Sequence, residues 1–488
     1  MMSQSSHINR WRAFALLAVS FFMAVIDLTI VNVSLPTIGR DLHFSQTNLQ
    51  WVVTAYALTY GGMLLLGGRA ADLLGRRRVL MAGLAIFSMA SLLCGLAESD
   101  TFLIVTRAIQ GFGAAVMLPS ALSTVMSMFE EGAERNKALG IWGGLGAGGA
   151  TVGVILGGLL TRYAGWQYIF FLNVPIGLAA LALAPRIVPE SRLASVGRRF
   201  DVSGGITGTA GLMLLVDAIS QAPQYGWSAP RTIGVLAASI ALLAGFVLIE
   251  RRVTDPLLPL GIFRLRTLAG ANTAGLLLGG SFFAFIFVGT LYMQQVLHYS
   301  ALQCGLAWLA ASLTSIALAG LSQALVTRVG TKLVMAAGMS MIGGGAIWAT
   351  QVPVHGHFLA NLAGPMVVAG AGTAFAFIPI SIAALAGVKA HQAGLASGLL
   401  NTSQQLGGAI GIAIASSVAA SHTQTLLHAG HAAPAALTGG FQQALWMLGA
   451  IGLLAVPAIF TLVRHEAVPT ATAQSSVRDP QPALAASS

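Results

Sequence analysis

Long apolar runs separated by short polar loops make up most of the chain. Each run is close to or above the length of about 20 residues that an α-helix needs to cross the hydrocarbon core of a bilayer. The fourteen predicted spans cover residues 13–36, 49–71, 79–97, 101–127, 138–161, 167–185, 204–221, 232–250, 268–291, 304–326, 333–350, 358–384, 394–419 and 441–463. The pattern predicts an all-α polytopic membrane protein.

The chain also contains an internal repeat. A shift of 255 residues pairs similar residues without a gap: Ser45 with Ser300, Gly75 with Gly330, Val79 with Val334 and Gly83 with Gly338. The shift carries span 2 onto span 10, which predicts two six-span halves with spans 7 and 8 inserted between them. The predicted domains are an N-terminal six-helix bundle (1–200), two inserted helices (201–262), a C-terminal six-helix bundle (263–465) and a disordered cytoplasmic tail (466–488).

Charge is scarce and unevenly distributed. Only 8% of the 488 residues are charged, against about 25% in soluble proteins. Of the 25 Lys and Arg residues, three lie in predicted outer loops, Arg107 lies within span 4, and the other 21 are on the predicted cytoplasmic side. This asymmetry predicts that both termini are cytoplasmic, and it accounts for the net charge of +10 without nucleic acid.

Two charged residues are predicted to lie inside the membrane. Asp27 in span 1 and Arg107 in span 4 fall at similar depths on a helical rise of 1.5 Å per residue. Because a charge at the bilayer centre costs at least roughly 2.5–3.5 kcal/mol, Asp27 is either a proton and cation site or a carboxylate held for packing. Arg107 either takes part in proton coupling with Asp27 or extends its side chain towards the outer lipid headgroups. The sequence leaves open whether the two side chains pair.

The loop after span 2 has a specific spacing of glycine, acid and arginine. It contains Gly68, Asp72, Gly75, Arg76, Arg77 and Arg78. The glycines permit a tight turn, and Asp72 can dock onto a helix end or pair with the arginines. Arginines alone would indicate only a cytoplasmic anchor.

These features together resemble the major facilitator superfamily, in its fourteen-span branch of drug:proton antiporters. The motifs that carry the resemblance are Asp27–Pro36, Gly68–Arg78, Arg107–Gly113, Gly165–Gly177 and Gly394–Gly408. The resemblance implies the major facilitator fold, with two six-helix bundles plus two inserted helices. It also implies a non-enzymatic transporter in the bacterial inner membrane, with Asp27 and Arg107 in proton coupling and the loop after span 2 as a gate.

Span 5 has small residues on one helical face. Gly149, Gly153 and Gly157 are four residues apart, a spacing that lets helices approach closely. In the family this helix, here including Gly158, carries the antiport motif and packs against the other half. Val154 stands where the family has proline, so the expected kink is absent and strict antiport is in question.

A second set of residues forms a possible substrate cavity: Asn32, Gln110, Phe282, Phe285, Asn401 and Gln405. Aromatic walls suit flat cations, and polar side chains in a span face the bundle interior. Each of these residues could instead serve helix packing, and the phenylalanines could face lipid.

The sequence thus predicts a proton-coupled multidrug efflux transporter for lipophilic, mainly cationic compounds, acting as a monomer by alternating access. The proton gradient would supply the energy, with no cofactor and no metal; the chain has no P-loop sequence. One alternative is a proton-linked transporter of a single metabolite or natural product. A membrane sensor is the other, but the loops and tail are too short for a signalling domain.

Overall fold

The structure is a computed structural model that describes residues 3–129, 133–191, 201–254, 256–258, 260–386, 388 and 393–463. Fourteen long helices follow one another in these ranges: α1 (Ser3–Asp41), α2 (Trp51–Leu74), α3 (Arg76–Gly95), α4 (Asp100–Met128), α5 (Ala133–Tyr163), α6 (Asn173–Ile187, after a short helix Gln167–Phe171), α7 (Val202–Tyr225), α8 (Pro230–Arg252), α9 (Arg266–Gln295), α10 (Ala301–Val329), α11 (Thr331–Trp348), α12 (Ala363–Leu385, after a π turn Phe358–Leu362), α13 (Ala393–His428) and α14 (Ala433–Leu462).

The helices match the predicted spans. Within the described ranges, thirteen are long and apolar enough to cross a membrane, and α5 contributes a shorter apolar stretch, Val152–Tyr163. This agreement confirms the predicted all-α membrane fold. The predicted tail, 466–488, lies outside the described residues.

The internal repeat of the sequence reappears in the backbone. The side chains of Ser45 and Ser300 each accept a hydrogen bond from the backbone N–H three residues later, and so cap a helix N-terminus. Gly75 separates α2 from α3, and Gly330 separates α10 from α11, with φ of +106° and +86°. Glycine adopts this backbone conformation without strain, so the repeated glycines mark equivalent turns.

Helices α1 to α6 pack as one bundle and α9 to α14 as a second. In both bundles a glycine allows close backbone contact between neighbouring helices. A β-carbon on Gly83 of α3 would lie 2.6 Å from the amide nitrogen of Met117 in α4, and Gly338 of α11 meets the backbone of Phe375 in α12 in the same way. The shift of 255 residues relates these two glycines, so the same close helix contact occurs in both halves.

The two bundles meet along two seams. In the α5–α10 seam, a β-carbon on Gly158 would lie 2.7 Å from the Cα of Leu302. In the α2–α13 seam, Thr402 Oγ1 donates a hydrogen bond of 3.0 Å to the carbonyl oxygen of Gly61. Both seams therefore depend on close backbone approach at glycine.

The inserted helices cover only the α2–α13 seam. Thr209 of α7 faces Gly62 of α2, and Ser417 of α13 donates a hydrogen bond of 2.6 Å to the carbonyl oxygen of Ile219 in α7. Helix α8 packs on α7 and is largely exposed. Thus α7 contacts both bundles, whereas the α5–α10 seam has no such cover among the described helices.

Gly158→Val should lower the free energy of unfolding by about 1–3 kcal/mol, because the added carbons would meet the α10 backbone. Melting temperatures of the purified protein in detergent measure the effect. Gly234→Val in α8 is the matched control, because nothing lies within 4 Å of a β-carbon at that position. Equal melting temperatures for the two variants would contradict the close α5–α10 packing.

Candidate functional site

Asp27 and Arg107 form a buried ion pair. Arg107 Nη1 lies 2.6 Å from Asp27 Oδ2, and the side chains are 1% and 0% exposed. The similar depths predicted from the sequence therefore correspond to a direct contact. Arg107 does not extend to the headgroups, since its guanidinium is enclosed by the N-terminal bundle.

The second carboxylate oxygen of Asp27 is bound by two amides. Gln110 Nε2 and Asn173 Nδ2 each donate to Asp27 Oδ1 at 2.9 Å. Gln110 is three residues after Arg107 on α4, so both side chains project from the same helical face, whereas Asn173 begins α6. With the guanidinium, three donors hold the carboxylate, as expected for a buried negative charge.

Arg107 has further partners of its own. Its Nε donates to the carbonyl oxygen of Val52 in α2 at 2.8 Å, and Nη1 also donates to Gln110 Oε1 at 2.7 Å. The guanidinium carbon lies 4.4 Å from the centre of the Tyr56 ring, where the ring face attracts a cation. Hydrogen bonds and an aromatic face thus fix the orientation of the guanidinium.

Ser91 of α3 closes the network. Its hydroxyl accepts hydrogen bonds of 3.1 Å from both Gln110 and Asn173 and donates one of 2.9 Å to the carbonyl oxygen of Phe170. Helices α1, α2, α3, α4 and α6 each contribute to the site. The Asp27–Arg107 network therefore connects five helices of a single bundle.

This arrangement is balanced only while both charges are present. Removing one partner of a buried ion pair costs about 3–5 kcal/mol, because the other charge remains without compensation. Protonation of Asp27 would leave the charge of Arg107 without a counter-ion. A competing cation at Asp27 would displace the guanidinium. A change of charge at this site would therefore be costly unless the surrounding contacts also changed.

The arginines of the predicted gating loop attach to the end of α6 within the same bundle. The Arg76 amide donates to the carbonyl oxygen of Ser191 at 3.0 Å. Glu190 Oε2 lies 3.7 Å from Arg77 Nε and 3.8 Å from Arg78 Nε. These contacts fasten the start of α3 to the end of α6.

Two glycines shape this loop. Gly75 supplies the turn between α2 and α3, and a β-carbon on Gly68 would lie 3.4 Å from Pro119 of α4. The side chain of Asp72 lies outside the described residues. The gating role of the loop therefore stays a prediction.

The glycines of α5 face two different helices. Three of them lie against α1: Gly149 meets Phe22 and Val25, Gly153 meets Ile26 and Thr29, and Gly157 meets Ile30. Gly158 instead faces α10, and the carbonyl oxygen of Val154 lies 2.7 Å from a β-carbon placed on Gly305. The four-residue spacing thus serves packing within the bundle, and Gly158 and Val154 contact the other half.

The residues of the predicted cavity lie in different surroundings. Asn401 Nδ2 donates to Tyr60 Oη at 3.1 Å, and Gln405 packs against Gly61, so both belong to the α2–α13 seam. Gln110 belongs to the ion-pair network, and Asn32 Nδ2 donates to the carbonyl oxygen of Leu28 in its own helix.

The two phenylalanines of the predicted cavity differ in burial. Phe285 is buried edge-on against Trp308, whereas Phe282 is half-buried and edge-on to Phe377. As placed in the structure, Phe285 is a core residue. Phe282 retains some exposed surface.

Comparison with known proteins identifies the family. The sequence profile of the Major Facilitator Superfamily matches residues 17–412. The chain belongs to the major facilitator superfamily. This family membership makes the protein a membrane transporter.

Relatives in this superfamily include proteins named for antibiotic resistance and export. The chain is 37% identical to "Puromycin resistance protein pur8" of Streptomyces alboniger, covering 88% of this chain and 86% of that protein. It is 38% identical to "Cephamycin export protein CmcT" of Amycolatopsis lactamdurans, covering 84% and 85%. "Multidrug resistance protein Stp" of Mycobacterium tuberculosis is 34% identical, covering 85% and 77%.

Solved structures with the same fold include an auto-inhibited POT family peptide transporter, with a TM-score of 0.65 and 15% identity over 92% of this chain and 96% of that one. A bacterial homologue of the human lysosomal transporter Spinster, inward-facing and unoccupied, also has a TM-score of 0.65, with 15% identity over 93% and 97%. At this identity the likeness shows the major facilitator fold of the chain.

Sequence reasoning missed Asn173, Ser91 and Tyr56 as members of the site. Asn173 binds Asp27 directly, Ser91 binds the two amides that hold Asp27, and Tyr56 lies against the guanidinium of Arg107. Asn173 is an amide within an apolar stretch at the start of span 6, a signal that could have marked it. Ser91 carries no such signal, because serine satisfies its own hydroxyl within many membrane helices.

Arg107→Leu should destabilise the protein by about 3–5 kcal/mol, since it leaves Asp27 buried without its counter-ion. Adding Asp27→Asn to this variant should restore part of the loss, because the isolated charge is then removed. Chemical unfolding of the four proteins of this double-mutant cycle measures the coupling. Additive effects of the two substitutions would contradict a direct ion pair.

Proposed function

We propose that the protein is a proton-coupled multidrug exporter of lipophilic, mainly cationic compounds. The observation that carries this proposal is the buried Asp27–Arg107 pair inside a transporter fold. An ionisable pair in a membrane span is a functional site by default, because its burial is costly. The names of the relatives, which refer to antibiotic resistance and export, support the outward direction of transport.

Alternating access follows from the two-bundle architecture. The α2–α13 and α5–α10 seams join the bundles, so rocking of one bundle on the other would open a central cavity to each side in turn. Near the predicted outer ends of α1 and α9, Gln294 Nε2 donates to the carbonyl oxygen of Val33 at 2.7 Å. This contact joins the two bundles near the predicted outer side, and it supports a first step in which substrate enters from the cytoplasm or the inner leaflet.

Coupling rests on competition at one carboxylate. A lipophilic cation and a proton both reduce the negative charge that Asp27 presents to Arg107, so they compete for the same site. Loss of that charge frees Arg107 and the amides of Gln110 and Asn173, which weakens the contacts among five helices. The bundle can then adopt its alternative packing, with proton entry driving cation exit.

The proposal also covers assembly, location, energy source and substrate contacts. The transporter would act as a monomer in the bacterial cytoplasmic membrane, with both termini inside, and would take its energy from the proton gradient without a cofactor. Phe282 and Asn401 supply the aromatic and polar surface for substrates. The loop from Gly68 to Arg78 would stabilise the closed cytoplasmic side.

Asp27→Asn should abolish gradient-driven export, because asparagine neither binds a proton nor balances Arg107. Ethidium transport into inverted vesicles, with and without an imposed pH gradient, measures this. Asp217→Asn is the matched control, since Asp217 lies in α7 and interacts with Arg231 rather than Arg107. Gradient-dependent uptake retained by Asp27→Asn would exclude this residue as the coupling site.

Asp72→Ala should slow ethidium turnover several-fold and leave ethidium binding unchanged, because the loop acts on the gate and not on the substrate. Initial transport rates and equilibrium binding to the purified variant separate these effects. An unchanged turnover rate would reduce the loop to a cytoplasmic anchor.

The alternative of a single metabolite or natural product as substrate is less well supported, since one relative is named for multidrug resistance. Competition assays distinguish the two. Inhibition of ethidium transport by structurally unrelated cations supports the multidrug proposal, and a lack of inhibition opposes it.

A further inference from the structure

Two buried acids meet where the inserted helices join the rest of the molecule. Asp201 precedes α7 and Glu250 lies in the last turn of α8, and they are 2% and 4% exposed. Asp201 Oδ1 caps α7, accepting hydrogen bonds from the Gly204 amide at 2.8 Å and from Ser203 Oγ at 2.9 Å. This junction is separate from Asp27 and its network.

One oxygen of each acid faces the other acid. Glu250 Oε2 accepts a hydrogen bond of 2.9 Å from the Leu258 amide, but Glu250 Oε1 and Asp201 Oδ2 are buried without a donor among the described atoms. Both free oxygens lie over Gly204: a β-carbon there would contact Asp201 Oδ2 and lie 2.9 Å from Glu250 Oε1. Because both oxygens approach the same point, the two carboxyl groups are direct neighbours.

Within the described ranges, a single cation acts on the two acids. Among the described residues, Arg69 of α2 is the cation whose charge acts on Glu250. Arg69 Nη1 also donates to the carbonyl oxygen of Pro256 at 3.0 Å, which ties the segment after α8 to α2. Arg251 and Arg252 are exposed. Two adjacent carboxylates cannot both ionise without a large cost.

We propose that Asp201 and Glu250 share one bound proton at neutral pH, which makes them a second proton-binding site of the transporter. The positive end of α7 favours a negative charge on Asp201, so the proton resides on Glu250 Oε1 and is donated to Asp201 Oδ2. This O–H···O bond satisfies both free oxygens. It fastens the end of α8 to the start of α7, beside the Arg69 contact with α2.

Infrared spectroscopy of the purified full-length protein tests the bound proton directly. Wild type at pH 7 should show the C=O band of a protonated carboxyl, which disappears as the pH is raised. Glu250→Gln should lack this band, because its amide replaces the O–H donor. Asp217→Asn, an acid-to-amide change in α7 away from the pair, should retain this band. A Glu250→Gln spectrum with the band unchanged would overturn the proposal.

Thermal unfolding gives a second readout. The folded protein holds a proton that a free glutamate, with an ordinary pKa of about 4.3, has lost at neutral pH, so wild-type stability should fall as the pH rises. Glu250→Gln should melt at or above the wild-type temperature at pH 7, because glutamine takes up no proton on folding, and should lose this component of the pH dependence, whereas Glu250→Ala should melt lower than Glu250→Gln. Identical pH dependence in wild type and Glu250→Gln would contradict a shared proton. Neither readout requires transport, so this test is independent of the proposed function.

Discussion

The ion pair between Asp27 and Arg107 is the interaction on which the N-terminal bundle depends. A buried carboxylate and a buried guanidinium are each costly alone, and they are stable here because two side-chain amides and a backbone carbonyl complete their hydrogen bonds. Because these donors and acceptors come from different helices, the bundle cannot repack without changing the pair. In the proposed mechanism, this dependence is the means by which a proton or a cation at Asp27 changes the packing of the helices.

The two halves of the molecule share their architecture but not this chemistry. Gly75 and Gly330 form equivalent turns, and Gly83 and Gly338 make equivalent helix contacts. The same shift of 255 residues places Asp27 on Phe282, which packs against Phe377. One half therefore carries the buried charge, and the other has an aromatic side chain at the equivalent position. The inserted pair adds a second asymmetry, since α7 covers only one of the two seams.

Much of the fold could be predicted from the sequence, and the site only in part. Apolar runs of membrane-spanning length determine the helices, and the distribution of Arg and Lys supports their number. The depth along each helix placed Asp27 and Arg107 at the same level in the membrane. Whether the two side chains touch depends on how each helix is rotated about its axis, and that rotation is set by the packing of the whole bundle. Ser91 could not be predicted as a site residue because serine is common in membrane-spanning helices. Asp201 and Glu250 escaped notice because acids at the ends of spans usually face water, and only the tertiary structure buries them together.

The pH dependence of ethidium binding to the purified transporter tests the central claim most directly. If a proton and a cation compete for Asp27, the affinity of the wild type for ethidium should weaken as the pH falls, and binding that remains in Asp27→Asn should be independent of pH. A wild-type affinity that does not change with pH, or an equal pH dependence in both proteins, would contradict the account.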